Sequence, residues 1–109
     1  MKVKELALQC DFGALTMPDG DRDIDGVYIG DLLSWVMGRA KADNVWITIM
    51  SNVNVIAVAS LSDVSCVVFA EGVKPEDSIT ETATRKGINL LTTTLSAYDV
   101  AVKLSEILK

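Results

Sequence analysis

The chain of 109 residues contains no histidine. That absence removes Ser-His-Asp and Cys-His nucleophile systems, imidazole metal ligands and the commonest general base near neutral pH. Cysteine is scarce. Cys10 and Cys66 are the two present, and they stand in no CxxC or metal-ligand spacing. Such thiols read as buried and reduced, without a disulfide. Aromatic residues make up 6% of the chain, so its core must be built from Val, Ile, Leu and Ala. No apolar run reaches the ~18–20 residues of a membrane span. The longest greasy zone, Val53 to Ala70, is interrupted by Asn54, Ser60, Ser62, Asp63 and Ser65. Basic clusters are missing too, and the net charge is −5. Nucleic acid and anionic membranes are therefore poor partners, because neutralising phosphates takes grouped Lys and Arg. The start MKVKELALQCD lacks the apolar segment of a secretory signal. Neither a GxxxxGK[ST] phosphate loop nor a dinucleotide glycine fingerprint is found. These absences lead us to expect one soluble, cytoplasmic domain over residues 1–109, with no cofactor, no metal and no catalytic residues.

Half of the residues are apolar, and their spacing sets out the elements. Val3, Leu6, Ala7 and Cys10 predict a short amphipathic helix over 2–10, stopped by Gly13. Ala14 to Met17 reads as a strand and Pro18-Asp19-Gly20 as a turn. Val27-Tyr28-Ile29 reads as a strand between Gly26 and Gly30. Asp31 stands where a helix N-cap is expected, ahead of Leu32, Leu33, Val36, Met37 and Ala40 on one helical face. Val45 to Met50 is a strand by its β-branched and aromatic content. Val53 to Leu61 is apolar on nearly all sides and fits a buried helix or a buried strand. Its alanines and the Ser51-Asn52 cap signal favour the helix. Cys66 to Ala70 predicts a strand buried on both faces. Residues 77–86 predict a solvated helix with Ile79 and Ala83 inward and Gly87 as its stop. Ile88 to Thr93 is a strand. Ser96-Ala97-Tyr98-Asp99 has the form of a capping box opening a last helix. From Val45 onward strands and helices alternate. That order implies an α/β fold: an open, mostly parallel sheet with helices on both faces, in three layers.

The stretch Asp21-Arg22-Asp23-Ile24-Asp25-Gly26-Val27-Tyr28-Ile29-Gly30-Asp31-Leu32-Leu33-Ser34 resembles the signature of the DRTGG domain family. In that family an Asp-Arg pair leads into Thr-Gly-Gly, a strand and an aspartate-capped helix. The likeness runs on through Val36-Met37-Gly38, Asn44 to Thr48, Val55 to Leu61, Gly87-Ile88 and Thr94 to Ala97. Asp25 stands where Thr is usual, and Val27 where the second Gly is usual. The resemblance implies an α/β domain similar to the N-terminal domain of HPr kinase/phosphorylase. It also implies an accessory, non-catalytic unit often found at dimer interfaces. Asp21, Arg22, Gly26 and Asp31 are its family-type positions.

Two further patterns bear on ligands. Asp19, Asp21, Asp23 and Asp25 alternate as in the first half of a calcium loop, but the twelfth position is Gly30 and supplies no carboxylate. The run therefore reads as a solvated acidic turn with Arg22 pairing locally. Open parallel sheets bind ligands at the carboxyl ends of their strands. That edge would carry Ser51, Asn52, Gly72, Thr93, Thr94 and Ser96, beside helix N-termini that favour anions. Asn52, Asp77 and Ser96 also read simply as helix caps. Trp35, Met37, Trp46 and Met50 read as core or as a patch pairing two copies, and a two-fold homodimer is expected. The sequence thus points to a regulatory or adaptor module binding a small metabolite or a protein partner. A nucleotide sensor using the signature turn and the polar strand ends is the alternative. An enzyme built on Asp21, Asp31 or Asp99 is disfavoured, because nothing in the pattern makes two carboxylates converge.

Overall fold

The computed structural model describes residues 1–108. Helix α1 (Val3–Cys10) is followed by β1 (Gly13–Thr16), β2 (Val27–Ile29), α2 (Leu33–Arg39), β3 (Val45–Thr48) and α3 (Asn54–Ser62). Strand β4 (Cys66–Phe69), α4 (Asp77–Lys86), β5 (Leu90–Thr92) and α5 (Ala97–Ile107) complete the order. The strands form one sheet in the order β1-β5-β4-β3-β2. β2, β3, β4 and β5 run parallel, and β1 closes one edge antiparallel to β5. This is the α/β architecture expected from the alternation.

The central strands explain the three layers. β3 and β4 are buried along their whole length, and successive side chains point to opposite faces. Val45, Ile47, Cys66 and Val68 pack with α1 and α5, through Leu6, Val100 and Leu104. Trp46, Val67 and Phe69 pack with α2, α3 and α4, through Val36, Ile56 and Ala83. Each face buries a separate apolar cluster, and truncating a large member of either would cost about 2–5 kcal/mol.

The ambiguous stretch over 53–61 is a helix. It is greasy nearly all round because α3 lies between α2 and α4 while also covering the sheet. Its two outermost apolar residues, Val53 and Leu61, remain exposed.

Several local expectations are corrected. Gly13 does not stop α1; Asp11 does, in the left-handed conformation with φ 57°, and Gly13 begins β1. On α2, Leu32 and Met37 are exposed, and the inward face narrows to Val36 with Leu33 and Ala40 partly buried. Trp46 is a core residue, whereas Trp35 is exposed and stacks its ring under Arg39 at 3.8 Å. Asp77 lies inside the first turn of α4, and the cap position is Glu76. Ser96 does cap α5, accepting the Asp99 amide at 3.1 Å. Cys10 and Cys66 are free and buried. Among the described residues, no helix is long and apolar enough to cross a membrane.

Candidate functional site

The positions singled out from the sequence fall at opposite ends of the sheet. Asp21, Arg22 and Gly26 precede β2 and lie at the amino ends of the parallel strands. Asp31, Ser51, Asn52, Thr93, Thr94 and Ser96 follow β2, β3 or β5 and lie at the carboxyl ends. Strands of this length hold the two groups about 10 Å apart or more, so they form no single site.

At the amino ends, residues 19–25 are bound down across the sheet. Arg22 is their centre, and its partners are not local. Its Nη2 donates to Asp43 Oδ1 at 2.9 Å and to Asp63 Oδ1 at 2.8 Å. The same nitrogen reaches the Asp63 carbonyl at 2.6 Å, and Nε adds a bond to Asp43. Burial works against the guanidinium charge, but the hydrogen bonds to Asp63 and Asp43 outweigh it and raise the Arg22 pKa. Ser65 Oγ donates to the carbonyls of Asp23 and Asp43. Asn89 exchanges two bonds with the backbone of Asp19, at 2.9 and 2.8 Å. Asn44 Nδ2 donates to the Asp25 carbonyl at 2.6 Å.

Gly26 follows with φ +82°, and a Cβ there would lie 2.9 Å from Asn44 Nδ2. Glycine is required at this point by both the backbone and the close approach. Asp21 and Asp23 are tied to Lys4 and Lys2 at 2.5 and 3.1 Å. The hydrogen bond and charge of Lys4 hold the Asp21 carboxyl below its ordinary value. Among the described residues, no three His, Cys, Asp or Glu side chains converge as for a cation. The chemistry of this edge is that of a fastening.

At the carboxyl ends, Asp31 is not the N-cap of α2. That position is Leu32, with no side-chain bond to the helix. Asp31 Oδ1 instead accepts from Thr48 Oγ1 at 2.8 Å and from the Ile49 amide at 2.9 Å. It closes the end of β3, giving the buried Thr48 hydroxyl an acceptor for its proton. Asn52 Oδ1 accepts the Asn54 amide at 2.9 Å at the start of α3. Thr93 Oγ1 accepts the Leu95 amide at 3.2 Å.

Open clefts lie along this edge. One of about 640 Å³ is bounded by Ser51, Asn52, Lys74, Glu76, Ser78 and Thr82. Another of about 400 Å³ is bounded by Asp11, Gly72, Lys74, Thr92, Thr93 and Thr94. Both volumes are in the range of small-molecule pockets, roughly 300–1,000 Å³. Lys74 borders both, and in sequence it reads only as part of a loop. Its signal was a cation in the segment after a fully buried strand, which is where a parallel sheet presents its ligand edge. A third, mainly apolar hollow of about 430 Å³ lies between β2 and α5.

The model of the DRTGG domain family matches residues 13–107, and the chain belongs to that family. A solved structure with the same fold is the CBS and DRTGG region of a regulatory region from Clostridium perfringens pyrophosphatase, complexed with its activator, diadenosine tetraphosphate. The TM-score is 0.71 at 14% identity, over 92% of this chain and 44% of that one. The present chain therefore spans less than half of the neighbour's length. A search of curated protein sequences finds no match.

Proposed function

We propose that this chain is a non-catalytic regulatory module that binds a nucleotide-class small molecule at the carboxyl edge of its sheet and acts as a homodimer. The observation that carries the reading is the cleft of about 640 Å³ at that edge, rimmed by hydroxyls, an amide and a lysine. Family membership supports it, as does the neighbour, a regulatory region that takes a nucleotide activator. The ordered carboxylates support the absence of catalysis. Asp21, Asp23, Asp31, Asp43 and Asp63 are engaged by lysines, an arginine or a backbone turn. None faces a second carboxylate in a contrasting environment, as acid–base work requires.

The dimer reading draws on another feature. Ile29, Leu32, Trp35 and Met37 are large, apolar and exposed, and they follow one another through β2 and α2. An edge strand and the helix after it that expose large apolar residues offer a surface for a second copy.

Calorimetric titration of the purified chain with AMP, ATP and diadenosine tetraphosphate tests the ligand. Saturable binding of at least one, without its hydrolysis, is expected. Heats of dilution alone for all three would remove the nucleotide reading, and turnover would remove the non-catalytic one. Native mass spectrometry in the same buffer is expected to give the mass of two chains.

A further inference from the structure

We propose that Lys74 is the anion-holding residue of this site and that the clefts on its two sides form one channel for a phosphorylated ligand. The inference rests on the nucleotide reading above and names the residue and ligand chemistry that would carry it.

The loop bearing Lys74 is fixed on both sides. The Gly72 amide donates to the Thr93 carbonyl at 2.8 Å, and Thr92 Oγ1 donates to the Val73 carbonyl at 3.0 Å. Pro75 follows directly and is buried. The backbone at Lys74 is therefore ordered before any ligand arrives, which lowers the entropic cost of binding. Its side chain is not used by the fold: among the described residues the ion pairs engage Lys2, Lys4 and Arg22, and Lys74 is in none of them. Glu71 and Gly72, just before it, both have positive φ, 61° and 74°. A non-glycine residue held there costs of order 1 kcal/mol or more, and such strain gathers at ligand-holding turns.

The carboxylates at the rims define the ligand further. Glu76 stands on one cleft and Asp11 on the other. A bare anion at Lys74 would be repelled from both sides. A ligand with a phosphate at its centre and hydroxyl or amino donors on its arms would satisfy Lys74 and the two acids together. Nucleotides have that distribution, since ribose hydroxyls donate to carboxylates while phosphates take the cation.

The test uses ATP as the probe with the wild type, Lys74→Gln and Lys41→Gln. Lys41 is an exposed residue just ahead of β3, at the amino ends of the strands and so at the other end of the sheet from the clefts, and controls for overall charge. ATP affinity is expected to fall about tenfold or more in Lys74→Gln, as for loss of a charge-assisted bond, and to hold in Lys41→Gln. In amide spectra of the wild type, ATP should shift signals on both sides, at Asn52 and Ser78 and at Thr93 and Thr94. Inorganic pyrophosphate should bind more weakly than ATP. Equal ATP affinity for wild type and Lys74→Gln would overturn the role of Lys74 while leaving a nucleotide site standing. Shifts confined to one cleft would overturn the single channel. Failure of ATP to bind the wild type would remove this proposal; failure of AMP and diadenosine tetraphosphate as well would remove the reading beneath it.

Discussion

The backbone amide of Asp43 donates to the carbonyl of Asp63 at 2.9 Å, and one guanidinium, that of Arg22, lies against both residues. Both aspartates are left-handed, with φ 67° and 57°. Two turns leading into β3 and β4 are therefore bound to each other and to the arginine of the family signature. Replacing Arg22 by Ala should lower unfolding stability by about 1–3 kcal/mol, because two carboxylates and a carbonyl lose a charged donor together. Lys should restore only part, since it cannot reproduce the fork. Urea denaturation measures this. Unchanged stability with lost nucleotide binding would make Arg22 a ligand residue instead.

Gly26→Ala should cost about 1–3 kcal/mol, the range for strained backbone. The penalty should shrink when Asn44 is also replaced by Ala, because the close contact is with that side chain. A double-mutant cycle in urea reads the coupling directly.

Asp31→Ala should loosen the end of β3 and leave α2 intact. Hydrogen exchange at the Ile49 amide should quicken, and global stability should fall by about 1–2 kcal/mol. Faster exchange throughout residues 33–39 would restore Asp31 to a capping role.

Cys66 should make the protein labile in alkali. Complete burial pushes its thiol from an ordinary value of 9.0 up to about 12. A raised folded pKa gives stability that is fully present below the unfolded value and lost as pH rises toward the folded one. Between pH 9 and 12 the loss should approach about 1.4 kcal/mol per pH unit. Cys66→Ala should flatten that slope, although it lowers stability at neutral pH. Denaturant midpoints collected across this window provide the check.

The layers of the fold could be read from the chain because they rest on local pattern. Val45 to Thr48 and Cys66 to Phe69 carry the continuous apolar run of a strand covered on both faces, and Ser96 carries a true cap. The site was less legible. In sequence Asp31 reads as a helix cap, because a carboxylate at the start of a helix looks the same whether it serves that helix or a neighbouring strand. Arg22 was expected to pair nearby. Its partners are 21 and 41 residues away, and no spacing rule reaches so far. Lys74 carries only a positional signal, a cation in the loop after β4, and the order of strands puts it between two clefts. Ser51, Asn52, Thr93 and Thr94 lie at the carboxyl ends of β3 and β5, because strand direction alone decides which residues gather there.

Asn89 has a consequence for how the chain is made. It is buried just ahead of β5, yet it holds the backbone of Asp19 on both its amide and its carbonyl. Synthesis delivers Asp19 long before Asn89. Until then the segment behind α1 lacks its clasp, and the place of β5 between β1 and β4 is empty. The nascent domain should therefore remain sensitive to protease through most of translation and become resistant in one late step.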